Sequence, residues 1–453
     1  MIPENVTNIM SHLISHGYEA YIIGGAVRDT ILDIEPHDWD VFTNCDDLIN
    51  QFPDSKVMGG DERQSKILTV IVDGIEVSQY RKNGDRTEVG IDLKTHCSTC
   101  DFTINAMAMD INGKIIDYYN GKEDLHKGFI KCVGSPKNRF EEDKLRIMRA
   151  VRFACKYEFQ LWDLGDYINE ADISDLPVER VREEFMKILQ YDTAINVMDN
   201  NGLLDKIIPE YYHENHFLDG GDHHDESPIC HMHNAFSESC KITDNVLLRL
   251  ACFLHDIGKG TTRTEDEPSS FIEGGTTMVE VKKDNIHFYE HEKVGADMTE
   301  AIMERLKFSK EDVRYVRRLV KSHMYSYKDK PSKKSYTKFF QKLEDDGITI
   351  EDYVMLIYCD HQGNMKKPRI KFGDFLKNNW LHKMYYEIKF SEEPMRIIDL
   401  KVGGQDVMGV IGLEPSPKIG EILKEMFNQV MDGKVKNNRA ELLNLLNNYE
   451  NTE

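Results

Sequence analysis

The chain of 453 residues is long enough for several domains with cores of their own, and 40% hydrophobic with 30% charged residues is a globular composition. No apolar run reaches the length of a membrane span, and residues 1–10 lack the charged-then-apolar layout of a secretion signal, so a cytoplasmic protein away from membranes is expected. A net charge of −22 excludes a protein that holds nucleic acid by general electrostatics; any RNA contact must rest on local basic patches.

The first ~135 residues mix short β-rich runs with turn signals. Residues 20–23 read as an apolar strand ending in Gly24 and Gly25, followed by a helix over 26–33 and a strand over 39–43. Runs 66–72 and 75–80 flank Asp73-Gly74, a strong two-residue hairpin signal. Cys97 and Cys100 have CxxC spacing, but no second pair completes a zinc site, and nine scattered cysteines fit reduced thiols better than a disulfide frame. From about Phe140 helical periodicity dominates, broken near 172–177, 220–228, 261–275 and 329–331. The polar, Gly-containing stretch 261–283 reads as a loop or small hairpin inserted among helices. The pattern predicts an α/β head followed by an all-helical body.

Chemistry concentrates in the head. Strand, double glycine and helix start (Ile22 to Asp29) form a turn that lets backbone approach a phosphate, with Arg28 as a cation on the first turn. Such turns are common by themselves. Asp38-Trp39-Asp40 changes the reading: on a strand, residues i and i+2 share a face, so two carboxylates converge and call for a cation. Hard oxygen ligands suit Mg²⁺, which bridges to substrate phosphates. Carboxylates beside a phosphate turn point to metal-assisted phosphoryl transfer. Glu76, after the hairpin, offers a third carboxylate.

Two further segments follow: Asp101-Phe102-Thr103-Ile104-Asn105-Ala106, and Glu142-Asp143 running through Arg146, Arg149 and Arg152 to Phe153. Asp143 and the three arginines recur every three residues and spiral over about half of one helix. A solvated basic face is the bland reading of that spacing. Together, however, the GGxVRD, DxD, DFTINA and EDxxRxxRxxRF elements, in this order, resemble the class II tRNA nucleotidyltransferases, the CCA-adding enzymes, whose head is shared with bacterial poly(A) polymerases. The resemblance implies an α+β fold: a nucleotidyltransferase palm at 1–135 (mixed sheet with helices), a helical neck at 136–215, an HD-type helical body at 216–375 and a helical tail at 376–453. It implies Mg²⁺ on Asp38 and Asp40. Gly25, Arg28, Asp143, Arg146, Arg149 and Arg152 would serve the nucleotide, Asp143 and Arg146 reading the base. The chemistry agrees, because cytosine and adenine both show an amino donor beside a ring-nitrogen acceptor, which a carboxylate and a guanidinium select together. One departure stands out. The family carries arginine just before DFTINA, whereas this chain has Thr99 and Cys100, and a thiol replaces neither the charge nor the donors. Either Arg81, Arg86 or Lys94 compensates, or the KM for nucleotide is raised.

In the body, His255-Asp256-Ile257-Gly258-Lys259 matches the HDxGK signature of HD-domain phosphohydrolases. Adjacent His and Asp offer nitrogen and oxygen ligands suited to a transition metal. That family also needs an upstream His, best matched by His231 with His233 as second choice, and a distant Asp, best matched by Asp360. His287, His291 and His323 fall where relatives carry histidines near the site. Residues 399–406 and 417–420, with Asn437 and Arg439, resemble the tail of the same enzymes. For RNA phosphates, basic runs 328–338 and 366–371 lie near Tyr336, Phe339 and Phe372, rings able to stack on bases. The expected activity is template-independent addition of CCA to tRNA from CTP and ATP. The runners-up are a poly(A) polymerase, a partial CC- or A-adding enzyme, or an HD phosphohydrolase with a degraded head.

Overall fold

The computed structural model describes residues 2–58, 69–82, 91–214, 227–265, 269–273, 276–280, 286–327, 331–391 and 393–450. It divides into two compact units, Met1–Ile207 and Ile208–Glu453.

The first unit is built on a seven-stranded sheet. Its strands are β1 (Ala20–Ile23), β2 (Val41–Thr43), β3 (Lys56–Met58), β4 (Thr69–Val72), β5 (Ile75–Gln79), β6 (Met107–Met109) and β7 (Ile115–Asp117), in the order β3-β4-β5-β2-β1-β6-β7. β2 and β5 run parallel, with Val41 opposite Val77; the other pairs are antiparallel. The β4–β5 hairpin turns on Asp73 and Gly74, both at positive φ (48° and 82°), as the two-residue turn requires. Residues 66–68 of the predicted strand lie outside the described residues. Ile23, Tyr80, Leu93, Cys97, Ala106 and Ala108 form a buried cluster on this sheet. The amphipathic helix Leu145–Tyr157 buries Leu145, Met148, Val151 and Ala154 and leaves its arginines at the margin of that core.

The sheet differs from expectation at one point that matters. Strand β2 begins at Val41, not at 39, so Asp38 and Asp40 form an extended lead-in to it. The ladder stops there because its partner β1, pairing Ile22 with Val41, ends at Ile23 and turns away at Gly24 (φ 92°) into the helix Gly25–Ile31. The carboxylates therefore project past the end of the sheet, where the glycine turn begins.

The second unit is helical. Ser227 caps Pro228–Cys240, Asn245 caps Val246–Leu254, Ser309 caps Lys310–Ser322, and a Thr349–Asp352 capping box opens Ile350–Gly363. The stretch read as an inserted hairpin does pair: Ser269–Glu273 with Thr276–Glu280, and Arg263–Glu265 with Ile286–Phe288. The tail has its own core, in which Val407, Met426, Phe427, Leu442 and Leu446 meet. Its motif residues hold its loops: Arg439 pairs with Asp406, and Asn437 bridges the Lys401 amide and the Asp399 carbonyl.

Candidate active sites

In the first unit, parallel pairing of β2 with β5 sets Asp40 and Glu76 side by side, each one residue before the paired Val41 and Val77. Burial, then Glu76, then Asp38 push the Asp40 carboxyl up to about 6. A carboxylate whose charge is disfavoured by burial and by two neighbouring carboxylates is one that a divalent cation would stabilise. The third carboxylate, read only weakly from sequence, thus acts on the pair.

Arg28 does not reach toward solvent. Its guanidinium is buried, donates from Nε to Asp29 (2.8 Å) and from Nη1 to the Asn105 side chain (2.6 Å), and lies over the Phe153 and Tyr157 rings (5.2 and 4.9 Å). Asn105 Nδ2 donates to Asp101 Oδ1 (2.9 Å), Asp101 Oδ2 pairs with Arg149 (2.6 Å), and the Tyr157 hydroxyl donates to Asp29 (2.9 Å). The glycine turn, the DFTINA segment and the arginine helix are thereby one polar chain. These contacts tie Arg28, on the first turn after Gly25, to the DFTINA segment and the arginine helix.

Each arginine of the helix has an acidic partner from a different element. Arg146 pairs with Glu142 (2.7 Å) and donates to the Arg139 and Thr99 carbonyls, Arg149 pairs with Asp101, and Arg152 pairs with Glu184 (2.7 Å). Asp143 sits at the break between two helices, where its carboxylate accepts from the Leu145 amide (3.0 Å). Sequence reasoning missed Asp101, Asn105, Tyr157 and Glu184. The first two stand inside a recognised motif, but nothing marks Tyr157 or Glu184. Burial raises the Cys100 thiol pKa, and the Arg81 and Arg139 guanidinium groups partly oppose the rise. Arg139 is committed to Glu142 and to the Val133 and Ser98 carbonyls, and Arg81 acts more strongly on Cys100 than Arg139 does. Lys94 is exposed on the helix Leu93–Ser98, and Arg86 lies outside the described residues.

The second unit gathers a denser site. Among the described residues, all groups of three or more candidate ligands with donor atoms within 4.8 Å lie here: His231, His255 and Asp256, and Asp256, His291 and His323. The His231 and His255 Nε2 atoms are 3.2 Å apart, and Asp360 Oδ1 is 3.1 Å from the first and 3.7 Å from the second. His233, the second choice, is elsewhere: it contacts the Tyr211 hydroxyl, and burial pushes it down to about 4. Lys259 pairs with Asp256 Oδ2 (2.8 Å). Burial opposes charge on His255, yet Asp256 and Asp360 hold its pKa well above the usual histidine range. Burial likewise opposes the Asp256 carboxylate, which His255 and Lys259 keep ionised. A cluster this rich in nitrogen donors and carboxylates fits a transition metal.

Gly258 explains how distant segments meet here. A Cβ at that position would lie 2.4 Å from the His291 carbonyl oxygen and 2.5 Å from the Gly295 nitrogen. Only glycine lets the helix His291–Arg305 come close enough to aim His291 at Asp256.

The expected stacking surface does not exist as read. Tyr336 and Phe339 are buried core residues, Tyr336 packing edge-on against Trp380 and Phe339 against Tyr353, so neither presents a face to a base. Their helical spacing was core patterning. Phe372 is half-buried against Tyr358, Lys333 and Lys334 pair with Glu393 and Asp432, and Lys328 lies outside the described residues.

Comparison with known proteins follows the same division. Residues 20–131 match the family described as Poly A polymerase head domain, 169–214 the probable RNA- and SrmB-binding site of polymerase A, 230–357 the HD domain, and 387–446 the tRNA nucleotidyltransferase domain 2. The CCA-adding enzyme of Lactobacillus helveticus is 35% identical over 198 residues, 40% of this chain and 48% of that protein. That of Bacillus pumilus is 37% identical over 216 residues, 44% and 54% respectively. The head and HD segments of this chain are thus similar to those of CCA-adding enzymes and poly(A) polymerases. The chain spans about half the length of the curated relatives it matches. In fold the chain resembles the Bacillus stearothermophilus CCA-adding enzyme in complex with CTP (TM-score 0.62, 21% identity, covering 100% of this chain and 99% of that one). It also resembles the Thermotoga maritima CCA-adding enzyme complexed with tRNA (TM-score 0.57, 17% identity, 97% and 93%). No helix among its described residues is long and apolar enough to cross a membrane.

Proposed function

We propose that this protein adds C, C and A to the 3′ end of tRNA, using CTP and ATP, in the cytoplasm. The observation that carries the reading is the meeting of Asp38, Asp40 and Glu76 at the end of the sheet where the Gly24–Gly25 turn begins. In the reaction the tRNA 3′-oxygen forms a bond to the α-phosphorus while the bond to pyrophosphate breaks. Mg²⁺ supplies charge neutralisation for that transfer when held by Asp38 and Asp40. Gly25 lets the triphosphate approach the backbone, and Arg28 fixes the turn through Asn105. Asp143 accepts from the amino group of the incoming base and Arg146 donates to its ring nitrogen, while Arg149 and Arg152 hold the nucleotide. We divide the chain into palm (1–135), neck (136–215), body (216–375) and tail (376–453). The test is tRNA lacking CCA, incubated with each nucleotide singly and then with CTP and ATP together. Three residues and no more are expected; long A tails would instead make the protein a poly(A) polymerase, and CC or A alone a partial enzyme.

A second reading is favoured by the buried histidine cluster: the body is a metal-dependent phosphohydrolase with a transition metal on His231, His255, Asp256 and Asp360. Hydrolysis of a 2′,3′-cyclic nucleotide by the Asp38→Ala protein is expected, and its absence would leave the body a scaffold.

A further inference from the structure

The last turn of the arginine helix holds a contact that base reading does not use. Tyr157, half-buried, ends the helix Leu145–Tyr157, and its hydroxyl donates to Asp29 Oδ1 (2.9 Å). The same oxygen accepts from Arg28 Nε (2.8 Å). The Arg28 guanidinium lies against the rings of Tyr157 and Phe153 (4.9 and 5.2 Å), which share one face of the helix. We infer that Tyr157 is a positioning residue that locks the Gly24–Gly25 turn to the base-reading helix and so sets the triphosphate in register with the base. This rests on the nucleotidyl-transfer reading and adds a residue that stands outside the GGxVRD, DxD, DFTINA and EDxxRxxRxxRF elements.

Contacts at the turn carry the first part. The Arg28 amide donates to the Gly24 carbonyl (3.1 Å), and Arg28 Nη2 lies 3.5 Å from where a Cβ on Gly25 would stand. The Arg28 side chain is therefore one wall of the turn, and whatever holds it shapes the space a phosphate would enter. A guanidinium buried this far needs a fixed carboxylate beside it. Asp29 is that carboxylate, also buried, and Tyr157 is its second donor. Burial raises the Tyr157 pKa, so the hydroxyl keeps its proton.

Connectivity carries the second part. Two routes join the turn to the helix. One runs from Arg28 through Asn105 and Asp101 to Arg149; the other runs from Arg28 through Asp29 to Tyr157. An arginine that takes hold of the nucleotide must loosen its pair with Asp101, so the first route weakens as substrate binds. The second asks nothing of Arg146, Arg149 or Arg152 and stays closed. At 1.5 Å per residue the helix is roughly 20 Å long, with Arg146 near its start and Tyr157 at its end. One rigid rod then relates the site of the base to the site of the phosphates.

The test is nucleotide addition to tRNA lacking CCA by Tyr157→Phe, which keeps the ring and loses the hydroxyl, and by Tyr157→Leu, which loses both. A hydrogen bond to a charged group is at stake. The KM for CTP and the inhibition constant of pyrophosphate should each rise about tenfold in Tyr157→Phe, and further in Tyr157→Leu. The preference for CTP over UTP should stay native, because Asp143 and Arg146 are untouched. Native constants in Tyr157→Phe would overturn the inference, whether its melting temperature falls or holds. So would a Tyr157→Phe protein that does not fold, since the residue would then be structural only, and so would a loss of CTP preference equal to the loss of pyrophosphate binding. A native protein that adds no nucleotide would instead overturn the transfer reading, and this role with it.

Discussion

The two sites are opposite solutions to holding a metal. The head presents three carboxylates at the open end of a sheet, where burial, then Glu76 and Asp38, raises Asp40 to about 6 and Asp38 remains exposed. The body surrounds one buried carboxylate with four histidines and fixes at least three of those rings through backbone carbonyls. Oxygen donors near solvent suit an ion that arrives with a triphosphate and leaves with pyrophosphate. Buried imidazoles suit an ion that stays. The difference teaches that the head is built for an ion that would come and go with substrate, and the body for one that would stay bound.

That contrast can be broken most sharply at Asp38. Replacing it with alanine removes a charge-neutralising ligand worth several kcal/mol, so nucleotide addition should fall by about a thousandfold or more. Metal content and phosphohydrolase activity of the body should stay at native level; a parallel loss in the body would mean the sites are not independent. Gly258→Ala should do the reverse. Its methyl group collides with the His291 carbonyl, and the overpacking should cost about 1–3 kcal/mol, read as a lowered melting temperature with reduced bound metal. Native metal content in that variant would remove the close-approach argument. The smallest effect belongs to Cys100→Arg. A charged donor beside the triphosphate is worth about 1.5 kcal/mol, which should lower the KM for CTP and ATP about tenfold. An unchanged or higher KM would show that Arg81 already fills the role.

The legible parts of the molecule are those whose chemistry is local in sequence. The Asp73-Gly74 hairpin, the capped helices and the HDxGK turn follow from neighbouring residues. So does the carboxylate pair, although its strand starts two residues later than alternation suggests, because β1 ends at its glycine turn. What was hidden depends on residues far apart. Nothing in the spacing of Arg146, Arg149 and Arg152 announces that their partners come from Glu142, Asp101 and Glu184. Tyr336 and Phe339 looked like surface rings beside lysines, but helical periodicity alone does not say which face is covered. The resemblance placed His291 and His323 near the HD site, but that both gather around Asp256 shows only once three segments are brought together.

The paired arginines of the neck have one more consequence. Because each already holds an anion, a nucleotide bound there, as proposed, would enter by exchange, trading phosphate oxygens or a base edge for a protein carboxylate. A ligand that satisfies only one of the three must break a pair without full compensation, whereas one that satisfies all of them breaks even at every step. Discrimination is thus written partly into what the arginines must release, and an acidic protein can select a polyanion without displaying a positive surface.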